Sequence, residues 1–101
     1  MTKEEIIIYK TILSMVKENG IYHYDSLRVD FVEKINPASD RQYHLCNNSL
    51  IKLVEDYKLL DRVDGMVELN TAGKIACKVG IRTFFTLRGF WLVVEKIMSI
   101  I

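Results

Sequence analysis

The stretch Ser39–Gly73 constrains this chain more than any other. Ser39 followed by Gln42 is a capping box, in which each side chain satisfies an amide that a helix start would leave orphaned. A helix is therefore expected from Asp40. Tyr43, Cys46, Leu50, Leu53 and Tyr57 recur at spacings of three and four, the pattern of a buried stripe. The other side carries Arg41, His44, Asn48 and Lys52, flanked by Gln42, Asn47 and Ser49, a hydrogen-bonding face of little net charge. Two short alternating runs follow, Leu59–Val63 and Met66–Leu69, around Asp64-Gly65. Asp-Gly accepts the two positive φ angles of a type I′ turn, so the runs form a hairpin. Asn70 then suits the cap of a helix beginning at Thr71.

The flanking sequence supplies partners for this core. Thr2 and Glu5 make another capping box, opening a helix over about Thr2–Asn19 with Ile6, Tyr9, Leu13 and Val16 on one face. Ile7, Ile8 and Ile12 widen that face, and Gly20 suits the left-handed position past the helix end. Ile21–Tyr24 alternates like a very short strand. Asp25 or Ser26 is expected to cap a second helix through Ile35, with Leu27, Phe31, Ile35 and Val32 inward, stopped before Pro37. After the hairpin, Lys74, Lys78 and Arg82 form a basic stripe while Ile75, Ala76 and Val79 are expected to face the domain. Gly80 ends or bends that helix. Beyond it Phe84, Leu87, Trp91, Val94, Met98 and Ile101 hold three-four spacing, and Phe90, Val93, Ile97 and Ile100 form a second row beside them. Two apolar rows exceed what a surface helix of a small domain buries by itself, so one row is expected to meet a partner.

This order of elements resembles the winged helix-turn-helix domains of MarR-like and related bacterial and archaeal regulators. Wings in those proteins often run into a helix through Leu-Thr-x-x-Gly. Here Leu69-Asn70-Thr71-Ala72-Gly73 has Asn70 where the threonine would sit, a change that keeps the capping chemistry. The resemblance covers roughly residues 1–80. It implies a mostly α fold with a small β-hairpin, a winged-helix domain over 1–83, and a C-terminal helix over 84–101 for dimerisation or partner packing. The short strand at Ile21–Tyr24 would pair with the wing. The function it implies is that of a dimeric transcriptional regulator that binds double-stranded DNA. Arg41, Gln42, His44, Asn48 and Lys52 would enter the major groove, where Arg pairs with guanine and Asn or Gln with adenine. Arg62, Lys74 and Lys78 would hold phosphates. Phe90, Trp91, Val94, Ile97, Met98 and Ile101 would form the homodimer interface.

Charge complicates this picture. Residues 39–70 hold four basic and six acidic side chains, a sum of −2, whereas residues 71–101 hold five basic and one acidic, a sum of +4. Neutralised phosphates supply most non-specific DNA affinity, so the expected reader is on the acidic side of the ledger. The rival reading is a winged helix used as a protein-interaction module, through the second apolar row or the acidic wing. A lesser one is membrane-surface binding through Trp91 with Arg88 and Lys96. A third is that the chain is a fragment whose exposed row packs on a following domain.

Other classes find little footing. At 101 residues, half of them hydrophobic and one of them proline, the chain is expected to be one domain without a low-complexity linker. Cys46, Cys77, His23 and His44 lack metal-ligand spacing, and two distant cysteines suit a reduced, intracellular protein. No nucleophile elbow, phosphate-cradling loop or dinucleotide fingerprint occurs, so neither catalysis nor a cofactor is expected. The N-terminus lacks the layout of a signal peptide. Arg82, Arg88, Glu95 and Lys96 break up the oily C-terminal run, which falls short of the ~20 apolar residues of a membrane helix. A cytoplasmic protein is the expectation.

Overall fold

The computed structural model describes residues 2–86. They are mostly helical, with one small three-stranded antiparallel sheet. Helix α1 spans Lys3–Asn19, capped by Thr2 in a complete box: the Glu5 amide donates to the Thr2 hydroxyl at 3.2 Å, and the Thr2 amide donates to Glu5 Oε1 at 3.3 Å. Its inward face is Ile6, Ile8, Tyr9, Ile12, Leu13 and Val16. Ile7, counted with the apolar face in sequence, points outward.

Strand β1, Ile21–His23, leads without a loop into α2, Tyr24–Ile35. The sequence suggests Asp25 or Ser26 as cap, but α2 begins earlier and uses neither. His23 occupies the cap position with no side-chain bond, and the Tyr24 amide donates instead to the Gly65 carbonyl at 2.8 Å. A long-range partner takes the orphan donor that a local side chain would otherwise serve. Asn36, in the left-handed conformation, ends the helix one residue before Pro37.

Helix α3, Asp40–Ile51, starts at the Ser39 cap, whose hydroxyl accepts from the Gln42 amide at 3.3 Å. The return arm of this box is shifted: Gln42 Oε1 accepts from the Ala38 amide at 2.7 Å rather than from Ser39. Cys46, Ser49, Leu50 and Leu53 form the buried arc. Tyr43, expected in that arc, is 48 % exposed, and Ser49, expected on the polar flank, is 1 % exposed. Ser49 donates its hydroxyl to the Leu45 carbonyl at 2.7 Å, so its polar group is satisfied within its own helix. The helix then widens into a π-helical turn at Lys52–Asp56, closed by the Tyr57 amide on the Lys52 carbonyl at 2.8 Å.

Strands β2, Leu60–Val63, and β3, Met66–Leu69, form the hairpin, with positive φ at both Asp64 and Gly65, as a type I′ turn requires. The sheet order is β1-β3-β2, and Tyr22 lies opposite Val67. Helix α4, Thr71–Val79, follows at once, and Asn70 Oδ1 accepts from the Gly73 amide at 2.8 Å. After Gly80, with φ at 93°, residues 81–86 are helical again.

One core joins these parts. It includes Tyr9, Ile12 and Val16 of α1, Leu27 and Phe31 of α2, Leu50 of α3, Val67 of β3 and Ala76 of α4. Ile81 and Phe84 belong to it as well, so Phe84, the first residue of the 84–101 segment, packs on the domain core. At its edge Tyr9 meets Tyr57 edge-on at 5.9 Å, and Phe85 lies 4.6 Å from the Tyr57 ring. Burial, with Tyr57 beside it, holds the Tyr9 phenol protonated well above the usual tyrosine range. Ile75 and Val79, expected to face the domain, are 37 % and 43 % exposed; Gly73 and Ala76 make the inward face of α4 instead.

Candidate nucleic-acid interface

Helix α3 presents Arg41, His44 and Asn48 to solvent along one side, with Lys52 half-buried at its end. Three of the five expected base-reading side chains already have work inside the domain. The Arg41 guanidinium reaches back to α1 and donates to both carboxylate oxygens of Glu4, at 3.3 and 3.2 Å. Gln42 spends its carbonyl oxygen on the helix cap and lines a crevice with Ile7, Ile8, Leu45 and Cys46. Lys52 lies near enough to Glu5 to favour its carboxylate form. Among the described residues the exposed His44 ring meets the Tyr43 ring, centroids 6.1 Å apart, and Asn48 is exposed, so these two are the readily available groups on that face.

The hairpin adds little positive charge. Arg62 stacks on Tyr24, its guanidinium carbon 3.8 Å from the ring centroid, a cation–π contact that ties β2 to the start of α2. On the outer sheet surface Asp61 and Glu68 stand directly opposite each other, and Asp64 is at the turn. Like charges in register repel; the Asn70 amide relieves this by donating to Asp61 Oδ1 at 3.3 Å. Ile21, Val63 and Met66 are exposed on the same surface.

The basic stripe of α4 sits elsewhere. Lys74 and Lys78 border two adjoining grooves between α4 and α1, of about 390 and 450 Å³, to which α3 contributes no residue. Across the grooves stand Lys10 and Lys17, and Lys17 and Cys77 belong to both. Glu68 is the one carboxylate among the lining residues. The Cys77 thiol is pushed up by burial, with the Lys17 ammonium opposing the shift. Cys46 is pushed up by burial too, and both cysteines are free thiols.

Sequence reasoning missed Lys10 and Lys17, yet the signal was there. Lys3, Lys10 and Lys17 recur every seventh residue, which places them on one stripe of α1. Among the described residues no three His, Cys, Asp or Glu side chains converge as a metal set, and no helix is long and apolar enough to cross a membrane. Phe90, Trp91, Val94, Ile97, Met98 and Ile101, the expected dimer interface, lie outside the described residues. No protein-family model, curated protein or solved structure matches the chain.

Proposed function

We propose that this chain is a winged-helix DNA-binding domain of a dimeric transcriptional regulator. The observation that carries the reading is the sheet order β1-β3-β2: a three-residue strand ahead of α2 pairs with the far strand of the hairpin that follows α3. This pairing fits the winged-helix arrangement and leaves the outer side of α3 free. In this reading His44 and Asn48 touch base edges, and Arg41 joins them on leaving Glu4 for guanine. The exchange costs little, because an exposed ion pair contributes only about 0–1 kcal/mol. Dimerisation runs through the apolar residues Phe90, Trp91, Val94, Ile97, Met98 and Ile101 of the 84–101 segment.

Fluorescence anisotropy with random duplex DNA tests the first part: binding is expected at low salt and weakens steeply as salt rises. Absence of binding at low salt would reject it. Light scattering tests the second, with a dimer expected for the intact chain and a monomer after truncation before Gly89; a monomer in both would remove the dimer.

A second reading is favoured by the Arg41–Glu4 pair, the Asp61–Glu68 pair and Asp64, which together leave the α3 and hairpin surfaces with little free positive charge. It is a protein-interaction module docking through the outer sheet surface. Charge reversal at Asp61 and Glu68 would leave DNA affinity unchanged or raised, while weakening a protein partner.

A further inference from the structure

We propose that the groove between α1 and α4 is a second nucleic-acid contact, holding a phosphodiester backbone by charge alone. The inference rests on the nucleic-acid reading above and assigns the grip to a surface separate from α3. Lys10 and Lys17 on one wall face Lys74 and Lys78 on the other. All four are exposed, and none forms an ion pair among the described residues.

The groove's shape favours a charged rod. Its floor residues Leu13 and Ile81 are each 2 % exposed, which seals the floor, and the more open Val79 lines it as well. Between the lysines, Ser14 adds a hydroxyl. Spacing fits as well. Lys10 and Lys17 lie about 10 Å apart along the α1 axis, and Lys74 and Lys78 about 6 Å apart along α4. Ammonium groups on flexible stems serve as point charges for phosphate, without the planar fork that reads a base. Two facing rows suit a strand lying between them better than a flat bilayer, which would be met by charges in one plane.

The α3 side is different in kind. On α1 the residues that meet α3 are Glu4, Ile7 and Ile8, while those that line the groove are Lys10, Leu13, Ser14 and Lys17. Helical geometry sets Glu4 and Ile8 on a different flank from Lys10, Leu13 and Lys17, with Ile7 and Ser14 on the stripe between them. The groove therefore contributes affinity and the α3 face contributes base preference, through separate residues.

The test is a salt series of duplex-DNA binding by the full chain and three variants. Replacing Lys10, Lys17, Lys74 and Lys78 together by Gln is expected to weaken binding at least about tenfold at low salt, and to flatten the log–log salt slope by about 3.6 units. The matching Lys→Arg variant is expected to keep both. His44→Ala with Asn48→Ala is expected to keep the slope and lose discrimination between duplex sequences. An unchanged slope in the Gln variant would overturn the groove and leave the α3 reading standing. A wild-type chain that binds no duplex at low salt would overturn both. Sedimentation with phosphatidylglycerol vesicles, but no DNA binding, would replace the backbone with a lipid surface.

Discussion

At Gly73 the usual sign of a glycine-to-alanine change in a helix reverses. Alanine inside a helix ordinarily gains about 1 kcal/mol. Here a Cβ would lie 2.1 Å from the Leu59 carbonyl oxygen and 2.9 Å from a Leu69 methyl, so α4 can approach the hairpin only with hydrogen at that position. Gly73→Ala is expected to lose about 1–3 kcal/mol as an overpacking change; urea unfolding measures it, and equal or greater stability would refute the close approach. Asn70 beside it does more than cap. Its Oδ1 holds the Gly73 amide, and its Nδ2 donates to the Lys58 carbonyl and to Asp61. Asn70→Thr keeps the cap but loses the donors, so its stability should fall between wild type and Asn70→Ala, which loses about 1 kcal/mol for the cap alone. Glu5 sets an acid limit. Burial raises its carboxyl, but the Thr2 amide and hydroxyl, Lys52 and the N-terminal ammonium together outweigh this and leave it below the usual range. A depressed folded value means stability that is present above the unfolded pKa and is lost as pH falls through the folded one. Glu5→Gln should therefore show a shallower decline of stability with acid than wild type, read from thermal melts across pH 2 to 6 as a rough window.

Among the elements, those specified by neighbours in sequence were legible, and those specified by distant partners were not. The Thr2 box, the Ser39 cap, the Asp64-Gly65 turn and the Asn70 cap each need only a few adjacent residues, and each is where the sequence puts it. The start of α2 was misread because its first amide bonds to Gly65, on a hairpin far along the chain. Helical periodicity also misjudges the edges of an arc. With Cys46, Leu50 and Leu53 at its centre, Tyr43 and Ser49 lie on opposite flanks, and the core takes Ser49. The π turn at Lys52–Asp56 comes only after both. Past that turn Lys58 takes φ of 54°, a left-handed backbone that disfavours a side chain with Cβ. Lys58→Gly is expected to relieve this and raise stability by about 1 kcal/mol; an equal or lower melting temperature would show that the Lys58 stem supplies a compensating contact.

For the whole molecule, the basic groove was half legible. The Lys74–Lys78 stripe can be read from sequence, but its pairing with Lys10 and Lys17 depends on how α4 packs on α1, which no local pattern encodes. That packing also sorts charge across a single helix. The flank of α1 toward α3 carries Glu4, paired with Arg41, and the flank toward α4 carries Lys10 and Lys17. A chain with net charge +1 has little monopole field, yet with Glu4 neutralised by Arg41 and the lysines unpaired among the described residues, the charge beside α1 is lopsided toward α4. Under the nucleic-acid proposal, the field of these lysines is expected to turn the body toward an approaching polyanion before contact. Ionic strength should then act on the association rate through orientation as well as on the equilibrium. Stopped-flow mixing would register this as a salt-sensitive on-rate that collapses when Lys10 and Lys17 alone are neutralised.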